Sequence, residues 1–217
     1  MPDSRDRILA RLRGGVVSPD RLPPEVPVRA FDWGQDELAR RFGEQLAAVR
    51  GQLVDVGTHW PVVLHRLLVG RGVRTLAYGP GGPLGPALES RWPGRGVELF
   101  PYVEPVEAVR GRLFDSVGAG FTSCRGAIAE TGSIVLWPDA EEPRLLSLVP
   151  PIHVVLLEAA AVRSTLAELI AEQEWAAGMP TNALLVTGPS RSADIEQTIT
   201  FGVHGPRELI VLLRRGG

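Results

Sequence analysis

The sequence predicts an α/β fold: a three-layer sandwich with a mostly parallel central sheet. Three observations predict it. Short runs at 52–56, 76–78, 97–100, 134–137, 153–157, 183–186 and 208–213 are apolar without strict alternation, as strands covered on both faces are. Segments with helical spacing separate many of these runs, which is the order of an α/β protein. The chain has 217 residues, 44% hydrophobic and 22% charged, enough for one well-buried core.

The elements follow in order. Ile8, Leu9 and Leu12 form one apolar stripe that Gly14-Gly15 stops. Pro19, Pro23, Pro24 and Pro27 then hold the chain extended. Residues 1–30 are therefore expected to be a helix and a proline-rich arm, and residues 31–217 one α/β domain. Asp32 with Gln35 makes a capping-box pattern, and Leu38, Phe42, Leu46 and Val49 recur at helical spacing after it. A strand is expected at 52–56, a helix at 60–69 closed by Gly70, and a strand at 76–78 running into the loop Gly79-Pro80-Gly81-Gly82-Pro83. A helix at 84–92, a strand at 97–100 and an element at Ser116-Val117 come next. Strands at 134–137 and 153–157 precede a helix near 165–175, for which Thr165 and Glu168 offer the cap pair. Strands at 183–186 and 208–213 complete the sheet.

Several function classes are excluded or disfavoured by composition. Net charge is −2, with no basic block beyond Arg214-Arg215, so nucleic acid is not an expected partner. No apolar run approaches the ~18 residues of a membrane span. The charged first fifteen residues lack the apolar stretch of a signal peptide, and the expected location is the cytoplasm. Every basic residue counted among the 23 Lys+Arg is an arginine. Without lysine, Schiff-base chemistry, pyridoxal-phosphate attachment and a P-loop are all ruled out. The one cysteine, Cys124, excludes an internal disulfide and a cysteine-ligated iron–sulfur cluster within this chain. His59 and His65 lie about 120° apart on a helix, and His153 and His204 have no second ligand at a recognisable spacing. No metal and no cofactor are expected.

Three polar clusters interrupt the apolar pattern. Glu130-Thr131-Gly132-Ser133 sits where an apolar segment meets the strand at 134–137. Glu130 there could act as general base, nucleophile or acceptor for a ligand hydroxyl, or bond backbone amides in a tight turn. Thr187-Gly188-Pro189-Ser190-Arg191-Ser192-Ala193-Asp194 follows the strand at 183–186. A helix turn starting near Ser190 or Ser192 would aim free amides at an anion beside Arg191. The plain alternative is a helix cap with a solvated arginine. Gly202-Val203-His204-Gly205-Pro206 is the third cluster, and its His204 is a better functional candidate than His153, which reads as a structural histidine. Cys124 reads as a small apolar filler, although Arg125 beside it could lower its pKa. The loop at 79–83 lacks the last glycine of a dinucleotide motif and reads as a tight turn. The three clusters are expected to converge on one concavity at a sheet edge. Its expected ligand-binding residues are Thr131, Gly132, Ser133, Gly188, Ser190, Arg191, Ser192, Asp194, His204 and Gly205, with Glu130 as the reactive group.

Residues 127–133, 187–196 and 202–206, together with Arg144-Leu145-Leu146-Ser147-Leu148 and Pro150-Pro151-Ile152-His153, resemble the LUD domain family of lactate-utilisation protein C type. The resemblance covers 116–213. It implies a fold similar to the CoA-transferase and sugar-phosphate isomerase superfamily. It also implies a part in oxidising L-lactate to pyruvate in bacteria, beside iron–sulfur partner proteins. Two functions remain open at this level. One is a non-redox component of such an assembly, with a pocket for a small carboxylate or phosphate. The other is a free-standing enzyme or binder for an anionic metabolite, such as a CoA ester or phosphosugar, using Glu130.

Overall fold

The computed structural model describes residues 4–14, 29, 31–193, 199–201 and 205–216, with side chains outside the description at 191–193 and 199–201. Helix α1 (Ser4–Gly14) forms where the stripe predicts it, but none of its residues is buried, and Ile8 and Leu12 face solvent. The arm at 15–28 lies outside the described residues.

Helix α2 (Gln35–Ala48) buries Leu38, Ala39, Phe42 and Leu46 on one face. It begins two residues later than the Asp32 pattern suggests, with Gly34 as the N-cap and no side-chain cap. The Gln35 side-chain amide donates to the Ala159 carbonyl. Stacking of Phe31 on Trp33, with ring centroids 4.1 Å apart, and of the Arg41 guanidinium over Trp33 holds the entry segment instead.

The succeeding elements are β1 (Gln52–Val56), α3 (Trp60–Val69), β2 (Thr75–Tyr78), α4 (Gly85–Arg91), β3 (Glu98–Pro101), α5 (Val106–Asp115) and β4 (Ala119–Thr122). Then come β5 (Gly126–Ile128), β6 (Ser133–Leu136), α6 (Leu145–Leu148), β7 (Ile152–Glu158), β8 (Val162–Arg163), α7 (Leu166–Glu172), β9 (Leu184–Val186), β10 (Arg191–Ala193), β11 (Ile199–Phe201) and β12 (Glu208–Arg214). Ser116-Val117 is not a strand: Ser116 caps the C-terminus of α5, and the strand starts at Ala119. Helix α5 escapes notice in the sequence because only Val109 and Leu113 on it are buried, too few to draw a stripe. Thr165 caps α7 as expected, its hydroxyl accepting from the Glu168 amide at 3.2 Å. The return bond lands one residue upstream, since Glu168 accepts from the Ser164 amide at 2.9 Å.

Six strands form a wholly parallel sheet in the order β1-β12-β7-β4-β2-β3. Alternate residues of β7 and β12 serve opposite faces. Val154, Leu156, Ile210 and Leu212 pack under Trp60, Leu64 and Leu68 of α3 and Leu88 of α4. Val155, Leu157, Val211 and Leu213 pack under α2, while Ala77 and Phe100 meet α5 and α6. Full burial of each such Val or Leu side chain stabilises the fold by roughly 1.5–3 kcal/mol, which explains why the strands show no alternation.

A second sheet, β8-β5-β6-β9, lies on the α2 face, its Ala127, Ile134 and Leu136 sharing a core with Val155 and Leu213. Strands β10 and β11 form a separate antiparallel pair. Among the described residues no helix is long and apolar enough to cross a membrane.

Candidate functional site

The strand β6 and its antiparallel neighbour β9 bring two of the polar clusters together. Ile134 pairs with Val186, so the residues one step beyond, Ser133 and Thr187, stand side by side. Their hydroxyl oxygens are 2.8 Å apart, and the Thr131 hydroxyl lies 2.8 Å from Ser133 on the other side. Ser133 is buried, so this chain of three hydroxyls is a fixed part of the structure.

Gly132 turns the chain from β5 to β6 with φ +68°, a conformation that side-chain-bearing residues rarely adopt. Its Cα also presses on α2, where an added Cβ would come within 2.7 Å of the Leu46 amide nitrogen. Gly188 meets the same helix at Val49. The two glycines therefore seat both clusters against the C-terminal half of α2.

Ser190 follows, and its amide donates to the Pro206 carbonyl at 2.8 Å. That bond ties the loop after β9 to the segment leading into β12. It also corrects the helix-turn reading. Arg191–Ala193 extend as β10 and pair with β11, so no helix N-terminus opens at Ser190 or Ser192, and the Ser190 amide is already used. The β-branched Ile199 and Thr200 suit the opposite strand better than a helix. The side chains of Arg191 and Ser192 are outside the description, and Asp194 and His204 lie outside the described residues altogether.

A cavity of about 200 Å³ opens in the seam between the two sheets. Its floor is His153 of β7 and Leu209 of β12. One wall is Ser147 and Leu148 of α6, and the other runs from Leu185 and Val186 through Thr187 and Gly188 to Ser190, Gly205 and Pro206. Gly188, Ser190 and Gly205 of the expected site thus line one concavity, with Ser133 and Thr131 bonded behind Thr187. Register places His153 opposite Leu209 and Gly120, near the amino ends of their strands. The concavity is therefore not beyond the carboxyl ends of the parallel sheet, where the general rule for open sheets would put it.

Glu130 is not among the lining residues. Its amide donates to the Ser164 carbonyl at 3.1 Å and its carboxylate pairs with the Arg29 guanidinium. With Arg29 74% exposed, that pair contributes at most about 1 kcal/mol.

His153 is the residue that sequence reasoning passed over. It is 1% exposed, its Nε2 lies 2.9 Å from the Thr122 hydroxyl, and its Nδ1 has no partner among the described residues. Burial pushes its pKa down to about 3, so the ring is neutral at physiological pH. A neighbouring cleft, lined by Thr122, Ser123, Trp137, Glu142 and Arg144, shares Ser147 with the cavity. Glu142 accepts from the Ser123 amide and hydroxyl there, and burial raises its pKa above the ordinary carboxylate value. The only sequence signal for either group was a polar residue beside an apolar run.

Cys124 is the filler that its lack of partners suggests. Its Sγ donates to the Leu156 carbonyl at 3.3 Å, and burial pushes its thiol up to about 12. Arg125 does not lower it, because that guanidinium lies over the Trp137 ring, 4.4 Å from the centroid. The loop at 79–83 is a tight turn, with the Gly82 amide bonded to the Gly79 carbonyl at 3.2 Å. Among the described residues no group of three or more His, Cys, Asp or Glu side chains is placed to hold a metal ion.

Comparison with known proteins agrees with this architecture. An uncharacterized protein of Neisseria meningitidis serogroup B is 30% identical over 96% of this chain and 92% of its own length. Proteins named lactate utilization protein C are also similar. The one from Bacillus licheniformis is 27% identical over 90% of this chain and 86% of its own. The one from Bacillus subtilis is 29% identical over 58% and 54%. A crystal structure of a DUF162 family protein from Deinococcus radiodurans matches with a TM-score of 0.64 at 21% identity, covering 84% of this chain and 99% of that one; it speaks for the fold. The LUD domain model matches residues 96–213, from just before β3 into β12, although β1 and β2 of the same sheet precede that stretch. The chain belongs to the LUD domain family.

Proposed function

We propose that the protein is a non-redox component of a bacterial L-lactate utilisation system. In this reading it works in the cytoplasm beside iron–sulfur partner proteins that oxidise L-lactate to pyruvate. It holds a small carboxylate or phosphate ligand at the cavity between the sheets. The observation that carries the reading is the near full-length similarity to a protein named lactate utilization protein C. The division of labour follows from chemistry: with one cysteine, the chain cannot supply the thiolates of a cluster, so the electrons must pass through partners. Residues 31–217 form the LUD-type domain in this proposal, its sheet akin to that of CoA transferases and sugar-phosphate isomerases, and residues 1–30 form an arm. A free-standing enzyme built on Glu130 is less well supported, because that carboxylate pairs with Arg29 and stands outside the cavity.

The test is growth. A host lacking this gene should fail on L-lactate as sole carbon source, grow on pyruvate, and recover when the gene is restored. Affinity purification of the tagged chain from lactate-grown cells should bring down cysteine-rich iron–sulfur proteins. Normal growth on L-lactate without the gene rejects the proposal. Replacing Arg191 with alanine should impair growth on L-lactate.

A further inference from the structure

The cavity between the sheets has a lining that its expected ligand does not by itself explain. None of the described residues that line it is ionised. Ser147, His153, Thr187 and Ser190 are its polar side chains, and leucines, a valine and a proline make up most of the rest. A carboxylate or phosphate drawn fully inside would lose its hydration without meeting a countercharge among the described lining residues, which is strongly unfavourable. An uncharged carbon body loses nothing there and gains by leaving water.

The floor carries an open hydrogen-bonding position. Buried imidazole nitrogens are nearly always paired, yet Nδ1 of His153 has no partner among the described residues, and Nε2 already faces the Thr122 hydroxyl. Thr122 does not line the cavity, whereas His153 does. When the threonine hydroxyl donates to Nε2, the proton of the neutral ring sits on Nδ1, ready to bond a carbonyl or hydroxyl oxygen. The ring is neutral because burial holds its pKa near 3, so it serves as a hydrogen-bonding group and not as a cation. Leu185, 49% exposed, stands at the rim on the way to Ser190 and β10.

We propose that this cavity takes the uncharged, oxygen-bearing carbon portion of a small metabolite, hydrogen-bonded at its floor by His153, and leaves any anionic group of that metabolite at the mouth. The assignment rests on the ligand-pocket part of the reading above and gives it a polarity: carbon and hydroxyl or carbonyl inward, charge outward. It makes His153 a binding residue and Ser147 its neighbour on the wall.

The experiment uses the full chain labelled with 15N-histidine, with the His153 ring nitrogens assigned by their loss in His153→Gln. Lactamide, L-lactate and sulfate are titrated separately at matched ionic strength. Lactamide, which keeps the hydroxyl and the carbon body but carries no charge, is expected to shift Nδ1, as is L-lactate, while sulfate leaves it in place. Leu185→Trp fills the rim at a half-exposed position and should weaken lactamide binding by about tenfold or more without lowering the melting temperature. It keeps the test valid if His153→Gln does not fold. The proposal is overturned if neither organic probe moves Nδ1 up to its solubility limit. It is equally overturned if sulfate moves Nδ1 as much as lactamide, or if Leu185→Trp binds lactamide unchanged. Growth on L-lactate reads the pathway separately: a chain dispensable there that still binds lactamide at His153 loses its pathway and keeps this site.

Discussion

The Ser133 hydroxyl lies 2.8 Å from the Thr187 hydroxyl, and through that bond two segments 54 residues apart become one structural unit. Ser133 opens β6, and Thr187 follows directly on β9. Neither can move without pulling on the loop that forms a wall of the cavity.

This pair should be energetically coupled. Ser133→Ala and Thr187→Val should each destabilise the protein by about 1 kcal/mol, the ordinary value of a net hydrogen bond. The double variant should cost less than the sum, with a coupling of roughly 0.5 kcal/mol or more. Equilibrium denaturation of the four proteins measures it. Strict additivity would mean that the two clusters are neighbours without being partners.

Gly132 should tolerate no side chain. Alanine there meets two penalties, a positive φ of +68° and an approach of 2.7 Å to the backbone of α2. The expected loss is at least about 2 kcal/mol. A Gly132→Ala variant whose melting temperature matched the parent would contradict the turn and its packing together.

Much of the fold was legible because burial on both faces leaves a plain mark. The strands β2, β7 and β12 are mostly runs of apolar residues in the chain itself. The second sheet was not legible as such: β5 and β8 have three and two residues, too few to show a period, and the runs at 134–137 and 183–186, expected in the central sheet, pair antiparallel with each other instead. The site divided in the same way. Gly188, Ser190 and Gly205 announced themselves as polar or flexible residues in a loop beside apolar strands. His153 did not, because inside an apolar run a histidine looks structural until its unpaired nitrogen is seen. Glu130 drew notice for its charge, but its position in the turn gives it to Arg29.

Glu142→Gln should be tolerated at neutral pH. Burial raises the carboxyl pKa in the folded protein, so the fold is favoured while Glu142 is protonated and loses that contribution as pH rises through the carboxylate range. Glutamine keeps an acceptor for the Ser123 amide, bonded at 3.1 Å, and carries no charge. The variant should therefore equal or exceed the parent in stability at pH 7, and the difference should shrink toward pH 4. A clear loss of stability at pH 7 would show that the ionised carboxylate is needed there.

His153 predicts the opposite pH dependence. Its folded pKa is lowered to about 3 from the ordinary imidazole value of 6.5, so below pH 6.5 the unfolded chain binds a proton that the native protein refuses. Stability from this group is fully present above 6.5 and falls as pH drops toward 3. At pH 5 the loss relative to pH 8 should be about 2 kcal/mol, from roughly 1.4 kcal/mol per unit of pKa shift. The surface carboxylate Glu37, held near pKa 2 chiefly by its hydrogen bond to Arg40, acts only at lower pH and leaves the 5–6.5 window to other groups. Denaturant melts of the parent and of His153→Gln across pH 5–8 isolate the effect. The parent's stability should fall relative to the variant's as the pH decreases. Parallel profiles would mean that the imidazole accepts a proton inside the fold, and the cavity floor would then be cationic in acid.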